Sequence, residues 1–218
     1  MRDVAALAGV SLKTVSRVVN GEPGVSDDLA ERVNRAAAQL AYQHNLAASN
    51  LRRASGRTAT LGLVLEDVAN PYSAVVYRAV EDTARKHGVA VFAASMDEDA
   101  EQQDQLVSTF IARRVDGLII APAGNDHSFI ASQARAGLPV VFVDRPGSTA
   151  GFDAVVSDNE EGARIGVAHL IAHGHTRIAF IGDLPQIPTA ELRYRGYLDA
   201  FTAAGLDVDD SLVVRGVH

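Results

Sequence analysis

Two adjacent segments near the start of the chain combine apolar, basic and hydroxyl residues at a spacing that suits DNA recognition. Gly9 separates the segment DVAALA from the segment LKTVSRVVN, and Ser11 directly precedes the second segment. Two short helices joined by a glycine-containing turn form a helix-turn-helix, whose second helix enters the major groove of DNA. Opposite the valines of that second helix lie four residues that could contact DNA: Leu12, Lys13, Ser16 and Arg17. Because lysine and arginine donate hydrogen bonds to guanine O6 and N7, the segment predicts sequence-specific binding rather than two packed helices without a DNA role.

Polar residues also follow several of the apolar runs later in the chain. Asn70, Pro71 and Tyr72 come after one such run, and Asp144 and Arg145 come after another. An aspartate at a strand end can accept hydrogen bonds from two sugar hydroxyls, and ligands of parallel α/β sheets bind beyond the carboxyl ends of the strands. Two structural explanations stay open, because proline often begins a helix and neighbouring Asp and Arg residues can form a salt bridge.

The chain lacks the residue patterns typical of enzymes and metal sites. It contains no cysteine, which excludes disulfides and thiolate ligands. It has no Walker-type phosphate loop, no Gly-x-Ser-x-Gly segment and no recognisable pairing of a nucleophile with a base. His173 and His175 flank Gly174, and helix capping explains this arrangement better than metal binding, since no cysteine or acidic cluster completes a site. We therefore expect no enzymatic activity, no cofactor and no metal.

Three helical patterns at the start of the chain must position the residues that could contact DNA. The helices are predicted to begin near Asp3, Leu12 and Asp27, with Ser11 and Ser26 as the N-caps of the second and third. The third helix has an apolar stripe that we expect to be buried: Leu29, Val33, Ala36, Ala37 and Leu40.

From Thr60 onward, apolar runs alternate with amphipathic segments that end near glycine. The runs predict strands at residues 61–65, 89–94, 117–121, 140–143, 154–156, 178–181 and 212–214. The segments between them predict helices at residues 71–87, 99–113, 127–136, 159–173 and 192–204. Short apolar strands that alternate with helices are typical of a parallel sheet covered by helices on both faces.

The distribution of charge separates the first part of the chain from the rest. The 218 residues carry a net charge of −7, of which residues 1–57 contribute +3 and the remainder −10. A basic head on an acidic body is expected when only the head contacts phosphate. The N-terminus shows no secretory signal pattern and no apolar run is long enough to span a membrane, so we expect a cytoplasmic protein without a membrane partner.

These motifs resemble those of the lactose-repressor-type (LacI/GalR) family of transcription regulators. The segment DVAALAGVSLKTVSRVVNG carries the strongest similarity. Further matching segments follow in the family's order: PGVS at 23–26, LAY at 40–42, Asn45, LVLEDVANP at 63–71, RVDG at 114–117 and VDRP at 143–146. This ordered series covers essentially the whole chain and is far more specific than a single short motif.

The resemblance implies a role for each matching residue of the DNA-binding part. The family's base-reading positions are matched by Leu12, Lys13 and Arg17. Positions that contact phosphate or cap the helix are matched by Thr14, Ser16 and Asn20. Leu51 matches the leucine that the family inserts into the minor groove from its hinge helix, where an apolar wedge unstacks a base step and bends the duplex. Simple packing under the hinge is the alternative for Leu51.

The resemblance also implies an effector cleft in the later part of the chain. Six residues match segments that line this cleft in the family: Tyr72, Ser73, Asp144, Arg145, Thr189 and Arg193. Asn159 and Glu160 are interpreted instead as residues of a helix start.

The fold implied is a small all-α helix-turn-helix headpiece and an α/β sensor that is similar to periplasmic binding proteins and incomplete at its C-terminus. The expected parts are the headpiece (1–44), a hinge helix and linker (45–58), a proximal sensor subdomain (59–150) and the first part of a distal subdomain (151–218). Family members have a short lead-in before the first helix, a proline where this chain has His44, and a longer C-terminal part. We therefore expect residues 1–218 alone to bind an effector poorly.

The expected function is that of a DNA-binding transcription regulator, a repressor controlled by a small-molecule effector. The resemblance implies a homodimer on a near-palindromic double-stranded operator, with a sugar or a related metabolite as the effector. Three alternatives stay open: a solute-binding protein of the same sensor fold, an α/β enzyme, and a truncated fragment without function. The headpiece and the missing secretory signal argue against the first alternative, and the missing catalytic pattern argues against the second.

Overall fold

The computed structural model describes residues 1–42, 57–147 and 151–217. The chain divides into two compact units, Met1–Thr58 and Ala59–His218. Leu51, Asn45 and the rest of the predicted hinge helix lie outside the described residues, so the roles assigned to them stay predictions.

The first unit contains the helices α1 (Arg2–Ala8), α2 (Leu12–Val19) and α3 (Asp27–Gln39). Their shared core is small and consists of Val4, Ala8, Val15, Val33 and Ala36. Ser26 is the N-cap residue of α3, as predicted, although its side chain makes no capping hydrogen bond. The prediction that Leu40 is buried is wrong, because α3 ends one residue before it and Leu40 is 44% exposed.

The second unit begins with a parallel sheet of five strands: β1 (Thr60–Leu65), β2 (Ala90–Ser95), β3 (Leu118–Ile120), β4 (Val140–Asp144) and β5 (Asp153–Val156). The strand order is β2-β1-β3-β4-β5, and every neighbouring pair is parallel. All carboxyl ends therefore lie at one edge of the sheet, where a ligand site is expected.

Helices cover both faces of this sheet, as predicted. They are α4 (Pro71–Lys86), α5 (Ala100–Ala112) and α6 (Ser128–Arg135). On one face, Leu63 and Leu65 of β1 pack against apolar residues of α4. On the other face, Val64 packs with Phe110 of α5 and Ile130 of α6. The close approach of α5 requires Gly62, since a Cβ atom there would lie 2.5 Å from Phe110.

After β5 the chain forms α7 (Asn159–Ala172), β6 (Phe180–Gly182), α8 (Pro188–Ala203) and β7 (Val213–Arg215), with β6 and β7 paired in parallel. Tyr197 and Phe201 of α8 are the largest buried side chains of this part, and the Tyr197 hydroxyl donates to the Ile178 carbonyl at 2.9 Å. Helix α8 begins four residues earlier than the predicted start at Leu192, because Pro188 occupies its first turn instead of ending a loop. The other predicted strands and helices of the described residues are confirmed to within two residues at each end.

Candidate DNA-binding face and effector cleft

The start of α2, the recognition helix, is held by a local capping arrangement. The Ser11 hydroxyl accepts a hydrogen bond from the Thr14 backbone N–H at 3.1 Å and contacts the Thr14 hydroxyl at 2.9 Å. Val15 is fully buried beneath the helix, whereas Leu12 is 48% exposed. The cap and the buried valine together direct the residues of the first turn outward, as base contacts require.

A basic groove of about 390 Å³ lies between α2 and the start of α3. Four residues of the recognition segment line it: Ser11, Lys13, Thr14 and Arg17. Residues from the following loop and α3 complete it: Gly24, Val25, Ser26 and Leu29. No DNA role was predicted from the sequence for the second set. The signal for it is the start of a 13-residue helix after the short loop that follows α2, since the first backbone N–H groups of a helix attract anions.

Arg17 and Asn20 make contacts within the headpiece as well. The Arg17 guanidinium lies 3.9 Å from Glu22, and both side chains remain about half exposed. At such distance and exposure an ion pair is weak, so Arg17 can exchange this partner for another anionic group at little cost. The Asn20 side chain donates to the Ser16 hydroxyl at 3.2 Å at the end of α2.

At the sheet edge of the second unit, the segment after β1 turns directly into α4. The Asn70 side chain accepts a hydrogen bond from the Tyr72 backbone N–H at 2.9 Å, and Pro71 occupies the first turn. Ser73 is buried, whereas the Tyr72 side chain is exposed. Capping therefore explains the Asn-Pro pair without a ligand, and the exposed Tyr72 ring remains available for contact.

Asp144 and Arg145 take part in a buried charge network at the end of β4. The Arg145 guanidinium donates to both carboxylate oxygens of Glu98, at 2.8 and 2.7 Å, and to Asp144 at 3.3 Å. Arg145 is only 4% exposed. Burial acts to lower the pKa of Arg145, but the hydrogen bonds and the charge attraction to Glu98 outweigh it and raise that pKa. The guanidinium thus stays charged and is held by the carboxylates of Glu98 and Asp144.

Glu98 belongs to the loop after β2, and two strands, β1 and β3, separate β2 from β4 in the sheet. The Glu98–Arg145 pair therefore spans the carboxyl ends of β1 and β3. Both ends of the network have left-handed backbone conformations, with φ 58° at Glu98 and 72° at Asp144. Glu98 was not predicted from the sequence, because no local pattern indicates a contact between two residues that are 47 positions apart.

A cleft of about 590 Å³ opens beside Asp144. We refer to it as the acidic cleft, since its charged lining residues are Asp144, Asp158, Glu160, Glu161, Asp199 and Arg164. Arg164 is paired with Glu161, which lowers the pKa of that carboxyl. Asn159 lines the cleft and accepts a hydrogen bond from Arg193 at 2.8 Å. Asn159 and Glu160 begin α7, as interpreted from the sequence, and both also line this cleft.

The structure brings only some of the predicted effector residues together. Asp144 lines the acidic cleft directly, Arg145 touches Asp144, and Arg193 reaches the cleft through Asn159. The cleft lining does not include Tyr72, Ser73 or Thr189, and Thr189 is 4% exposed within the first turn of α8.

The histidines at the end of α7 act in helix termination. His173 is the C-cap residue, its ring nitrogen lies 2.8 Å from the His169 carbonyl, and Gly174 has a positive φ of 88°. Within residues 1–42, 57–147 and 151–217, no three His, Asp or Glu side chains are grouped so that they could hold a metal ion. Over the same residues, no helix is both long and apolar enough to cross a bilayer.

Two family models match the chain and together span nearly all of it. Residues 1–45 match bacterial regulatory proteins of the lacI family. Residues 58–217 match the model of periplasmic binding proteins and the sugar binding domain of the LacI family. The chain belongs to the LacI family. Membership confirms the expected fold, in which a helix-turn-helix headpiece precedes a sensor that resembles periplasmic binding proteins.

Individual LacI-family members show how far the similarity extends. Catabolite control protein A of Priestia megaterium is 33% identical over 98% of this chain and 64% of that protein. The crystal structure of the lac repressor dimer bound to operator and the anti-inducer ONPF is 30% identical, with a TM-score of 0.83. The transcriptional regulator CelR–cellobiose complex is 32% identical, with a TM-score of 0.62. Both structures are matched over 98% of this chain and 64% of theirs, so this chain spans about 64% of the length of these LacI-family relatives.

Proposed function

We propose that this LacI-family chain is a sequence-specific DNA-binding transcription regulator, and specifically a repressor. The observation that carries the proposal is the recognition helix, whose Ser11 cap and buried Val15 leave Lys13 and Arg17 beside an open basic groove. Such a surface meets the two requirements of operator binding, base readout and phosphate attraction. The relatives with solved structures are named as a repressor and a transcriptional regulator, and no enzyme name occurs among them.

Within this proposal the residues divide by the part of DNA that they reach. Base edges are assigned to Leu12, Lys13 and Arg17. Phosphate contacts or helix capping are assigned to Thr14, Ser16 and Asn20, and the last two are supported in capping by their mutual hydrogen bond. Ser26, at the start of α3, is added as a phosphate contact, because it lines the basic groove with Lys13 and Arg17 and its side chain makes no capping hydrogen bond. Leu51 keeps its proposed role as the minor-groove wedge.

The proposed effector is a small sugar or a related metabolite bound at the carboxyl edge of the sheet. Asp144 and Arg193 are the main contacts, because one lines the acidic cleft and the other reaches it through Asn159. Tyr72, Ser73 and Thr189 are retained as further contacts. Arg145 also stays a predicted contact, although its donors are directed at Glu98 and Asp144. The CelR–cellobiose complex supports the sugar class by similarity.

The proposed working form is a cytoplasmic homodimer on a near-palindromic operator. A single headpiece contacts one half-site, and two half-sites read together supply much of the affinity. The lac repressor, which is a dimer on its operator, supports this arrangement by similarity.

Selection of bound sequences from random double-stranded DNA tests the DNA-binding proposal. The purified 218-residue chain should enrich a motif with related half-sites, and random duplexes should bind far more weakly. A chain that enriches no motif, yet binds a sugar in calorimetry, would instead act as a solute-binding protein.

Calorimetry with cellobiose and a panel of other sugars tests the effector proposal separately. In a chain extended to the length of its LacI-family relatives, the expected result is binding that Asp144→Ala removes and that Asp153→Ala, at the exposed strand β5, leaves intact. Residues 1–218 alone should bind these sugars poorly. Equal binding by the Asp144→Ala chain would return Asp144 to a purely structural role.

A further inference from the structure

An arginine of α3 holds the end of α1 at the helix-turn-helix. The Arg32 guanidinium Nη2 donates to the Ala8 carbonyl at 2.7 Å, across 24 residues of sequence. Ala8 is the last residue of α1 and is followed by Gly9 in the left-handed conformation, with φ 62°. A Cβ atom at Gly9 would lie 3.1 Å from the same Arg32 nitrogen. The guanidinium therefore lies directly against the turn that joins α1 to the recognition helix.

The chemistry of this contact suits the end of a helix. The last carbonyl groups of a helix lack internal partners and carry a partial negative charge, so a cation that donates to them is stabilising. A hydrogen bond of 2.7 Å from a charged donor is short and strong. Helix α1 has only seven residues, which is too short for it to persist without tertiary contacts.

The contact matters for α2 because the turn is very short. Gly9 and Val10 alone separate the end of α1 from Ser11, whose hydroxyl caps the recognition helix. A shift of the α1 end relative to α3 would therefore move the cap and the side chains of the first turn of α2. Base readout demands hydrogen-bond geometry, whereas attraction to phosphate tolerates such a shift.

A second arginine on the same helix provides a natural comparison. Arg35 lies one turn further along α3 and beside the same open groove as Arg32 and Gly9. Its side chain is 72% exposed, and its ion pair is with Glu31, one turn back on α3, at 3.9 Å. Arg32 and Arg35 thus carry the same charge at neighbouring positions, but only Arg32 is bonded to α1 in this structure.

We propose that Arg32 is a positioning residue for DNA recognition, which sets the recognition helix through the Ala8 carbonyl without touching DNA itself. This inference rests on the DNA-binding function proposed above. It gives α3 a role in sequence specificity, in addition to the role of the base-facing residues of α2.

Binding isotherms of the 218-residue chain test the inference on two duplexes, the sequence that the wild-type chain selects and a shuffled version of it. Arg32→Ala should weaken binding to the selected duplex roughly tenfold, in keeping with the loss of a charge-assisted hydrogen bond, and change binding to the shuffled duplex less than about twofold. Arg32→Lys, which retains a charged donor, should recover most of the loss. Arg35→Ala should affect both duplexes equally and weakly.

The salt dependence of binding separates positioning from phosphate contact. If Arg32 only positions α2, the slope of log K against log salt is the same in Arg32→Ala and wild type. A slope reduced by about 0.9 on both duplexes would show a phosphate contact and overturn the inference. Equal losses in Arg32→Ala and Arg35→Ala would also overturn it, because they would reflect charge alone.

A further variant distinguishes loss of the Arg32 contact from unfolding of the headpiece. Arg32→Met retains an unbranched aliphatic side chain but removes the charge and every donor, and it should still lose preference for the selected duplex while the helical circular dichroism is unchanged. Full preference in a folded Arg32→Met chain would contradict the inference. Failure of the wild-type chain to select any sequence would instead remove the proposed function, and this inference with it.

Discussion

The headpiece and the sensor build their candidate sites in different ways. In the headpiece, the groove-lining residues between Ser11 and Leu29 come from one continuous stretch, and hydrogen bonds between near neighbours hold them. In the sensor, Asp144 is held through Arg145 by Glu98, which lies 47 positions from Arg145 in the sequence. The candidate DNA-binding face therefore depends on a small local core, and the candidate effector edge depends on a long-range buried charge pair.

Removing Glu98 should destabilise the sensor strongly. Glu98→Ala leaves the buried Arg145 charge without its bidentate partner, and the loss of one partner from a buried ion pair costs about 3–5 kcal/mol. Urea unfolding followed by tyrosine fluorescence should show a lower midpoint. Glu31→Ala removes one partner of an exposed pair and should change the midpoint very little. Similar shifts in the two variants would mean that the buried pair contributes no more than a surface one.

Truncating Val15 should affect the headpiece and spare the sensor. Val15→Ala removes two methyl groups from the centre of a five-residue core, at a cost of roughly 2–3 kcal/mol. Because the whole headpiece core is so small, binding to the selected duplex should fall steeply at 37 °C, while the unfolding of the sensor is unchanged. The matched variant Val64→Ala, in the sensor core, should do the reverse. Coupled losses in both variants would show that the two units do not fold independently.

Replacing a base-reading residue should change specificity without changing stability. Lys13→Ala should weaken binding to the selected duplex by about 1–3 kcal/mol and relax the preference at one base position. Thermal unfolding should stay as in wild type, since Lys13 lies on the open groove. Equal weakening on selected and shuffled duplexes would show that Lys13 contacts phosphate alone.

Acid should weaken the sensor slightly through His127. This side chain is 1% exposed beside Phe142, and its Nδ1 has no hydrogen-bond partner. Burial lowers its pKa, and attraction from Asp126 and Asp104 opposes this only in part. A His that is harder to protonate when folded stabilises the fold fully above its unfolded pKa of about 6.5, and this stability is lost as the pH falls below that value.

The expected loss between pH 7.5 and 5.5 is at most about 1.4 kcal/mol, the limit for a His that stays neutral in the folded state, and urea unfolding at the two pH values measures it. His127→Gln should flatten the dependence, whereas His175→Gln, at an exposed position, should retain it. Burial raises the pKa of Asp104, so its own effect lies at lower pH and has the opposite sign. A stability that rises as the pH falls to 5.5 would contradict the sign given for His127.

The features that depend on periodicity and on short-range helix capping were predicted correctly from the sequence. The Ser11 cap, the buried Val15 and the alternating strands and helices all follow from patterns within a few residues. Contacts between distant residues left no such pattern. Arg32 at the end of α1 and Glu98 beneath Asp144 are bonded across 24 and 47 residues, and neither was identified from the sequence.

One prediction failed because a proline can either end a loop or begin a helix. Helix α8 was predicted to start at Leu192, but Pro188 already occupies its first turn. In the effector cleft, Asn159 was interpreted as a helix-start residue alone, although it also bonds Arg193 and faces the cleft. Its second role depends on the packing of α7 against α8, which local sequence does not encode.

A comparison of selected motifs tests whether the proposed recognition helix reads bases. Random-duplex selection is carried out with the wild-type chain and with Arg17→Ala, and the enriched motifs are compared position by position. The Arg17→Ala chain should still enrich the motif but lose the guanine preference at one position in each half-site. An unchanged motif, recovered with uniformly lower affinity, would show that Arg17 contributes only charge and that it does not read a base.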